Sequence, residues 1–352
     1  MDIVINGTVI NMENSPYIVA EVGINHNGDL EKAYKMIEVA KIAGVNAVKF
    51  QTFKAEEFVN NHDQMYTYFS QGKEVTESML EMFKRYEFTK NEWFLIKKKC
   101  DEVGITFLST PQNESDLDLL LEIGIEAIKV GSDDFTNLPL LKKYTKTKLP
   151  LIVSCGMADM SEVYETLKTI GTFEGYPVIL LLCTSQYPTP EEDVNINKLK
   201  TLASAFPMIT LGFSDHTQGY VASSLAVACG ARFFEKHFTL DNDLPGPDHW
   251  FSENPVTLSE WVKAITSAYK MLGDSIIRPT EQEEEMRKIA RRYIIALDNI
   301  EEGEVLNVNN IGLRRTGIPG LSPNFYEELL GNKAAKKISK GQNIFLGDFI
   351  DG

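Results

Sequence analysis

The stretch FFEKHFTLDNDLPGPDHW, Phe233 to Trp250, opens as an apolar run of the kind that forms a buried strand, yet it carries Glu235, Lys236 and His237. Burying neighbouring polar groups is costly unless partners meet them. Side chains alternate faces along a strand, so Glu235 and His237 share one face while Phe234 and Lys236 take the other. A turn-rich segment then delivers Asp248 and His249. Polar residues gathered where a strand ends suit the C-terminal mouth of a parallel barrel, where loops and strand ends converge.

Working outward from this strand, seven further apolar runs end in small or polar residues: YIVAEVG, NAVKFQT, TFLSTP, AIKVGS, LPLIVSCG, VILLLCTS and ITLGFSDH. Helical patterns such as DLEKAYKMIEVAKIAG and TKNEWFLIKKKCDEVG lie between most of them, several closing on glycine as helix ends prefer. Strand–helix units over about 240 residues match a (β/α)8 TIM barrel. An open doubly wound sheet lacks support, because no G-x-G-x-x-G follows the first strand. TLSEWVKAITSAYKMLG reads as the last barrel helix, which sets the first domain at residues 1–273. Residues 274–292 are polar and charged and read as a linker; residues 293–352 hold short strands with turns at EEGE and SKGQ and read as a small β-rich domain.

The formal net charge of −15 over 352 residues argues against nucleic acid or an acidic membrane as the main partner, though a local cationic pocket remains compatible with it. No apolar run approaches the ~20 residues of a membrane span. The opening MDIVINGTVINMENSPYIVAE has no basic region before an apolar one and does not read as a signal peptide. Cys100, Cys155, Cys183 and Cys229 are scattered without a C-x-x-C pair, as free thiols of a reducing cytoplasm are.

Alternation places Glu21, Lys49, Gln51, Lys129, Ser154, Ser185, Ser214, His216, Glu235 and His237 on the inward faces of their strands, and Val48, Phe50, Ile128, Val130, Val153 and Phe234 toward the helices. Ser109, Thr184 and Lys236 are as readily explained by bonds to backbone or by facing outward. His216 and His237 end neighbouring strands, so their rings could share one divalent ion and leave positions open for substrate. Lys49 and Lys129, with Thr110, Ser132, Ser154, Ser185 and Ser214 as hydroxyl donors, suit a phosphate site, or else ion pairs with the mouth's carboxylates. His26, His62 and His249 receive no role.

The motifs AEVGINHNGDL, AVKFQTF, FLSTP, IKVGS, SCGMA, CTSQYPTPEEDVN, GFSDHT, EKHFTLD and PGPDHWFS resemble those of the N-acetylneuraminate (sialic acid) synthase family, which includes legionaminic and pseudaminic acid synthases. RKIARRYIIALDNIEEGE resembles that family's entry into its antifreeze-like (SAF) domain. The resemblance implies condensation of phosphoenolpyruvate with an N-acylated amino sugar, giving a nine-carbon α-keto acid and phosphate, with manganese or magnesium as the cofactor. It implies His216 and His237 as metal ligands. Lys49, Thr110, Lys129, Ser132, Ser154, Ser185 and Ser214 would bind phosphoenolpyruvate, Glu21 would be a catalytic carboxylate with Glu235 sharing proton work or tuning the metal, and Gln51, Tyr187 and Asp248 would face the sugar.

The resemblance also implies a domain-swapped homodimer in which an arginine of the small domain reaches the partner's sugar. Where many members have R-P-G-x-G, this chain has LRRTGIPGLSP, making Arg315 the first choice and Arg314 the second. That departure, and VGSDD in place of a GSGE-like stretch, leave the sugar open. Two other readings compete: a phosphoenolpyruvate-dependent synthase of shorter keto-deoxy sugar acids, and a non-catalytic sugar-binding or ice-binding protein.

Overall fold

A computed structural model describes residues 2–61 and 63–350; His62 lies outside the described residues. Two compact units divide the chain, Met1–Gly273 and Asp274–Gly352.

The first unit opens with a hairpin, β1 (Ile3–Ile5) and β2 (Thr8–Ile10), turned by Asn6-Gly7 with positive φ at both residues. That turn matches the twist of the strands it joins. Eight parallel strands then form one sheet: β3 (Tyr17–Gly23), β4 (Ala47–Thr52), β7 (Thr106–Pro111), β8 (Ile128–Val130), β9 (Leu151–Ser154), β10 (Val178–Cys183), β11 (Thr210–Asp215) and β12 (Phe233–His237). A second hairpin, β5 (Met65–Ser70) and β6 (Lys73–Ser78), is inserted after β4. The sheet order is β7-β4-β3-β12-β11-β10-β9-β8. Because β12 pairs with β3, the sheet curls into a TIM barrel that is nearly closed, its remaining seam lying between β7 and the short β8.

Packing follows the alternation. Val48, Phe50, Ile128, Val130, Val153 and Phe234 join helix residues such as Ile37, Trp93, Leu167 and Trp261 in the outer layer. Their inward neighbours Val19, Ala47, Leu108, Ile152, Leu181 and Phe233 fill the barrel with Ile3, Ile5 and Ile10, so the first hairpin plugs it. With this end filled by hydrocarbon, the inward polar residues are confined to the opposite, C-terminal end.

The second unit has its own core, including Ile294, Ile300, Leu306, Ile311 and Ile338, around the antiparallel pair β13 (Arg292–Ala296) and β14 (Ile311–Arg315). EEGE and SKGQ are turns, as read from the sequence. The stretch read as a linker contains a helix, Glu281–Ala290, started by a capping box between Thr280 and Glu283. It buries no residue, which is why its apolar pattern gave no signal.

Candidate active site

Strand ends and loops of the first unit enclose a cavity of about 640 Å³, room for two small substrates. Its lining brings together every mouth residue of the first unit named from the sequence. Arg315 is exposed at the end of β14 in the second unit, and Arg314 bonds its neighbour's carbonyl, Leu313 O, at 3.0 Å.

Two lysines and two carboxylates occupy the floor, all almost fully buried. Lys49 Nζ lies 2.8 Å from Glu21 Oε2 and 3.7 Å from Glu235 Oε1, and Lys129 Nζ lies 3.8 Å from Glu235 Oε1. Lys129 donates to Ser154 Oγ at 2.8 Å and to Val130 O at 2.9 Å, while Lys49 donates to Thr110 Oγ1 at 3.3 Å. Gln51 donates to Glu21 and Ser214 donates to Glu235, each at 3.3 Å. The lysines are thus paired with the carboxylates and also border the cavity, so an incoming anion meets cations already held in place.

The two carboxylates are driven apart. Burial, reinforced by the charge of Glu235, outweighs Lys49 and raises the pKa of Glu21. Burial acts on Glu235 too, but Lys129 and Lys49 outweigh it and hold its pKa below the ordinary value. Divergent neighbours of this kind separate a proton-handling group from a permanent carboxylate.

Hydroxyls converge beside Lys129. Gly156 N–H donates to Ser132 Oγ at 3.0 Å, and a Cβ on residue 156 would lie 2.5 Å from Ser185 Oγ and 2.6 Å from Ser132 Oγ. Only a glycine lets the loop after β9 approach both serines. Ser185 Oγ is buried without a hydrogen-bond partner, and so is Glu235 Oε2. Such orphans are rare in a core and mark places a ligand can satisfy.

At the other end of the cavity the rings of His216 and His237 lie 5.5 Å apart between centroids. Imidazoles bound to one ion at about 2.1 Å have centroids no more than about 6.6 Å apart, so this pair fits a shared cation. His216 Nδ1 contacts Thr184 O at 2.8 Å, which leaves Nε2 for the cavity. His237 is neutral at pH 7, because burial and then His216 push its pKa well down. Burial lowers that of His216 as well, yet the Cys183 sulfur beside it makes the net direction upward. No group of three or more His, Cys, Asp or Glu placed to hold a metal exists among the described residues.

Comparison with known proteins identifies the framework. Residues 36–277 match the NeuB family and residues 291–350 match the SAF domain. The chain belongs to the NeuB family. N,N'-diacetyllegionaminic acid synthase of Legionella pneumophila is 36% identical over 93% of this chain and 93% of its own. The Campylobacter jejuni enzyme of that name is 38% identical over 93% and 98%. The crystal structure of N-acetylneuraminic acid (sialic acid) synthetase from Leptospira borgpetersenii, in complex with citrate, superposes with a TM-score of 0.73. It shares 34% identity and covers 81% of this chain and 95% of that one.

This NeuB-family mouth also contains residues that sequence reasoning missed. The β5–β6 hairpin contributes Tyr66, Thr67, Tyr68 and Phe69, and the loops add Asp133, Trp250 and Phe251. Alternation in MYTYFSQGKEVTES around Gln71-Gly72 was the available signal for the hairpin. Tyr187 packs 4.2 Å from the His216 ring, and Asp248 Oδ2 lies 3.9 Å from His237 Nδ1. Burial, with the Glu21 charge, lifts the Asp248 pKa to about 7. Lys236 faces outward, 3.1 Å from Asp215 and 3.5 Å from Glu253, and Ser109 donates to Phe50 O at 3.1 Å.

Proposed function

We propose that this NeuB-family protein condenses phosphoenolpyruvate with the open-chain form of an N-acylated mannosamine-type sugar, giving a nine-carbon α-keto acid and phosphate. One observation carries the reading: two cations, a ring of hydroxyls, two carboxylates of divergent pKa and a histidine pair share one enclosed mouth. The names of the legionaminic acid synthases above support the product class.

Lys49, Lys129, Thr110, Ser132, Ser154, Ser185 and Ser214 bind phosphoenolpyruvate, and the lysines stabilise the departing phosphate. C3 of phosphoenolpyruvate bonds to the aldehyde carbon, whose oxygen gains a proton and becomes a hydroxyl. Water adds at C2, one of its protons reaching the new alkoxide and the other the phosphate, which leaves as the C2–O bond breaks and the keto group forms. Glu21, whose raised pKa keeps it able to exchange protons, takes the proton from water. Glu235 stays ionised and anchors both lysines. Gln51, Tyr187 and Asp248 orient the sugar. His216 and His237 would hold a manganese or magnesium ion, which when bound polarises the aldehyde oxygen. We further propose a cytoplasmic homodimer in which Arg315 of one subunit serves the sugar of its partner.

The deciding experiment mixes protein, phosphoenolpyruvate and Mn2+ with N-acetylmannosamine, a 2,4-diacetamido-trideoxy-mannose or a 2,4-diacetamido-trideoxy-altrose. Phosphate release with one sugar and a product mass of sugar plus pyruvate are expected. Absence of both with all three sugars overturns the proposal. A separate measurement addresses the cation: His216→Ala and His237→Ala should each weaken Mn2+ binding, followed by electron paramagnetic resonance, at least about tenfold. Unchanged binding in both variants removes the assignment.

A further inference from the structure

His249 stands between Asp248 and Trp250 in the loop that follows β12. Asp248 and Trp250 line the cavity, whereas His249 is 1% exposed and absent from the lining. Its ring is held at both nitrogens. Nδ1 meets Thr239 Oγ1 at 2.6 Å, at the base of the same loop. Nε2 meets Asn27 Oδ1 at 3.0 Å, in the loop after β3. Asn27 Nδ2 is committed to Pro245 O at 2.9 Å, so Oδ1 accepts from the Nε2 proton, while Nδ1 meets a Thr239 hydroxyl that also contacts Asp241 O at 2.9 Å. Burial pushes the His249 pKa down to about 4, which keeps the ring in this neutral form.

Backbone bonds from Thr239 N–H to Glu253 O and from Glu253 N–H to His237 O, both 2.8 Å, close the base of the loop, and side chains tie the rest of its backbone. Asn242 donates to His249 O at 2.9 Å and to Ser252 O at 2.7 Å, and Asn25 donates to Ser252 Oγ at 3.0 Å. Among the side chains of this loop, the His249 ring links both its base and the neighbouring βα loop at the point where Asp248 and Trp250 enter the cavity. We propose that His249, through its paired bonds to Thr239 and Asn27, is a positioning residue that holds Asp248 and Trp250 at the acceptor end of the mouth. This rests on the reading that the sugar lies at that end.

The test uses the full chain with His249→Phe, which keeps a ring and removes both bonds, and with Thr239→Val, an isosteric loss of one bond. Trp93 and Trp261 are 2% and 0% exposed, so acrylamide quenching of tryptophan fluorescence reports chiefly on Trp250. The Stern–Volmer constant should rise about twofold in His249→Phe as the loop loosens. In steady-state assays KM for the acceptor sugar should rise about tenfold, with KM for phosphoenolpyruvate unchanged. His249→Gln, which restores one polar contact, should recover part of the loss. A residue needed only for folding would lower Tm while leaving native-state quenching and the KM contrast as in the wild type, and that result overturns the proposal. Increased quenching with an unchanged acceptor KM overturns it also. If the wild type shows no condensation, the proposed function fails, and the quenching comparison alone then decides whether His249 holds the loop.

Discussion

Gly156 shows how much of the mouth depends on single residues. Its bare Cα lets Ser132 and Ser185 converge beside Lys129, and a methyl group there meets both hydroxyls below 3 Å. Gly156→Ala should raise KM for phosphoenolpyruvate about tenfold while melting near the wild-type temperature, because the loss is of placement and not of core. Equal kinetics would show that the serines move aside freely. Lys129→Met and Glu21→Gln separate ground-state binding from chemistry. The lysine meets a charge present before reaction, so its loss should raise KM for phosphoenolpyruvate about tenfold or more. If Glu21 takes the proton from water as proposed, its loss should lower kcat about 100-fold with KM nearly constant. If Glu21→Gln altered KM alone, its proton role would be wrong. At this scale much was legible in the sequence, since alternation assigns a face to each strand residue from Glu21 to His237. Asp133, Trp250 and His249 were not assigned, because loop residues carry no period from which a direction can be read.

Elements are legible in proportion to their burial. All eight barrel strands were read from apolar runs that turn polar toward their C-terminal ends, because each is packed on both faces and only that end meets the mouth. The helix Glu281–Ala290 and the hairpin β5–β6 expose most of their surface, so their composition reads as loop. Capping chemistry was the better signal. It is also testable in the helix Glu114–Ile123, where Asp116 accepts from Asn113 N–H at 2.9 Å and from Asn113 Nδ2 at 2.8 Å. Burial lifts the pKa of Asp116 from 3.8 to about 6 despite these bonds. A folded pKa above the unfolded one means that folding favours the protonated form. This contribution to stability is complete below pH ~4 and is lost as pH rises through about 6. Asp116→Asn keeps an acceptor for Asn113 and removes the charge. It should therefore raise stability at pH 7 by about 1–2 kcal/mol and bring little gain at pH 4. Thermal melts at both pH values decide it; an equal gain at both would assign the effect to packing.

The whole molecule divides its labour between two cores. The barrel closes through β12 and β3, is plugged by its own N-terminal hairpin, and carries every described residue that lines the mouth. The second unit packs around Ile294, Ile311 and their neighbours and exposes Arg315 at the end of β14. The change in composition after Gly273 was visible in the sequence. A chain ending at Gly273 should therefore fold, with a cooperative melt of its own, since no barrel strand or core residue is removed. It should bind phosphoenolpyruvate within about threefold of the full chain, because Lys49, Lys129 and the serines all remain. Its condensation rate should fall at least about tenfold if the second unit serves the acceptor, and Arg315→Ala in the full chain should reproduce that fall without altering phosphoenolpyruvate affinity. Calorimetric titration with phosphoenolpyruvate separates the outcomes. Loss of binding in the shortened chain would mean that the mouth is incomplete without the second unit. Full turnover by the shortened chain would remove Arg315 from the site.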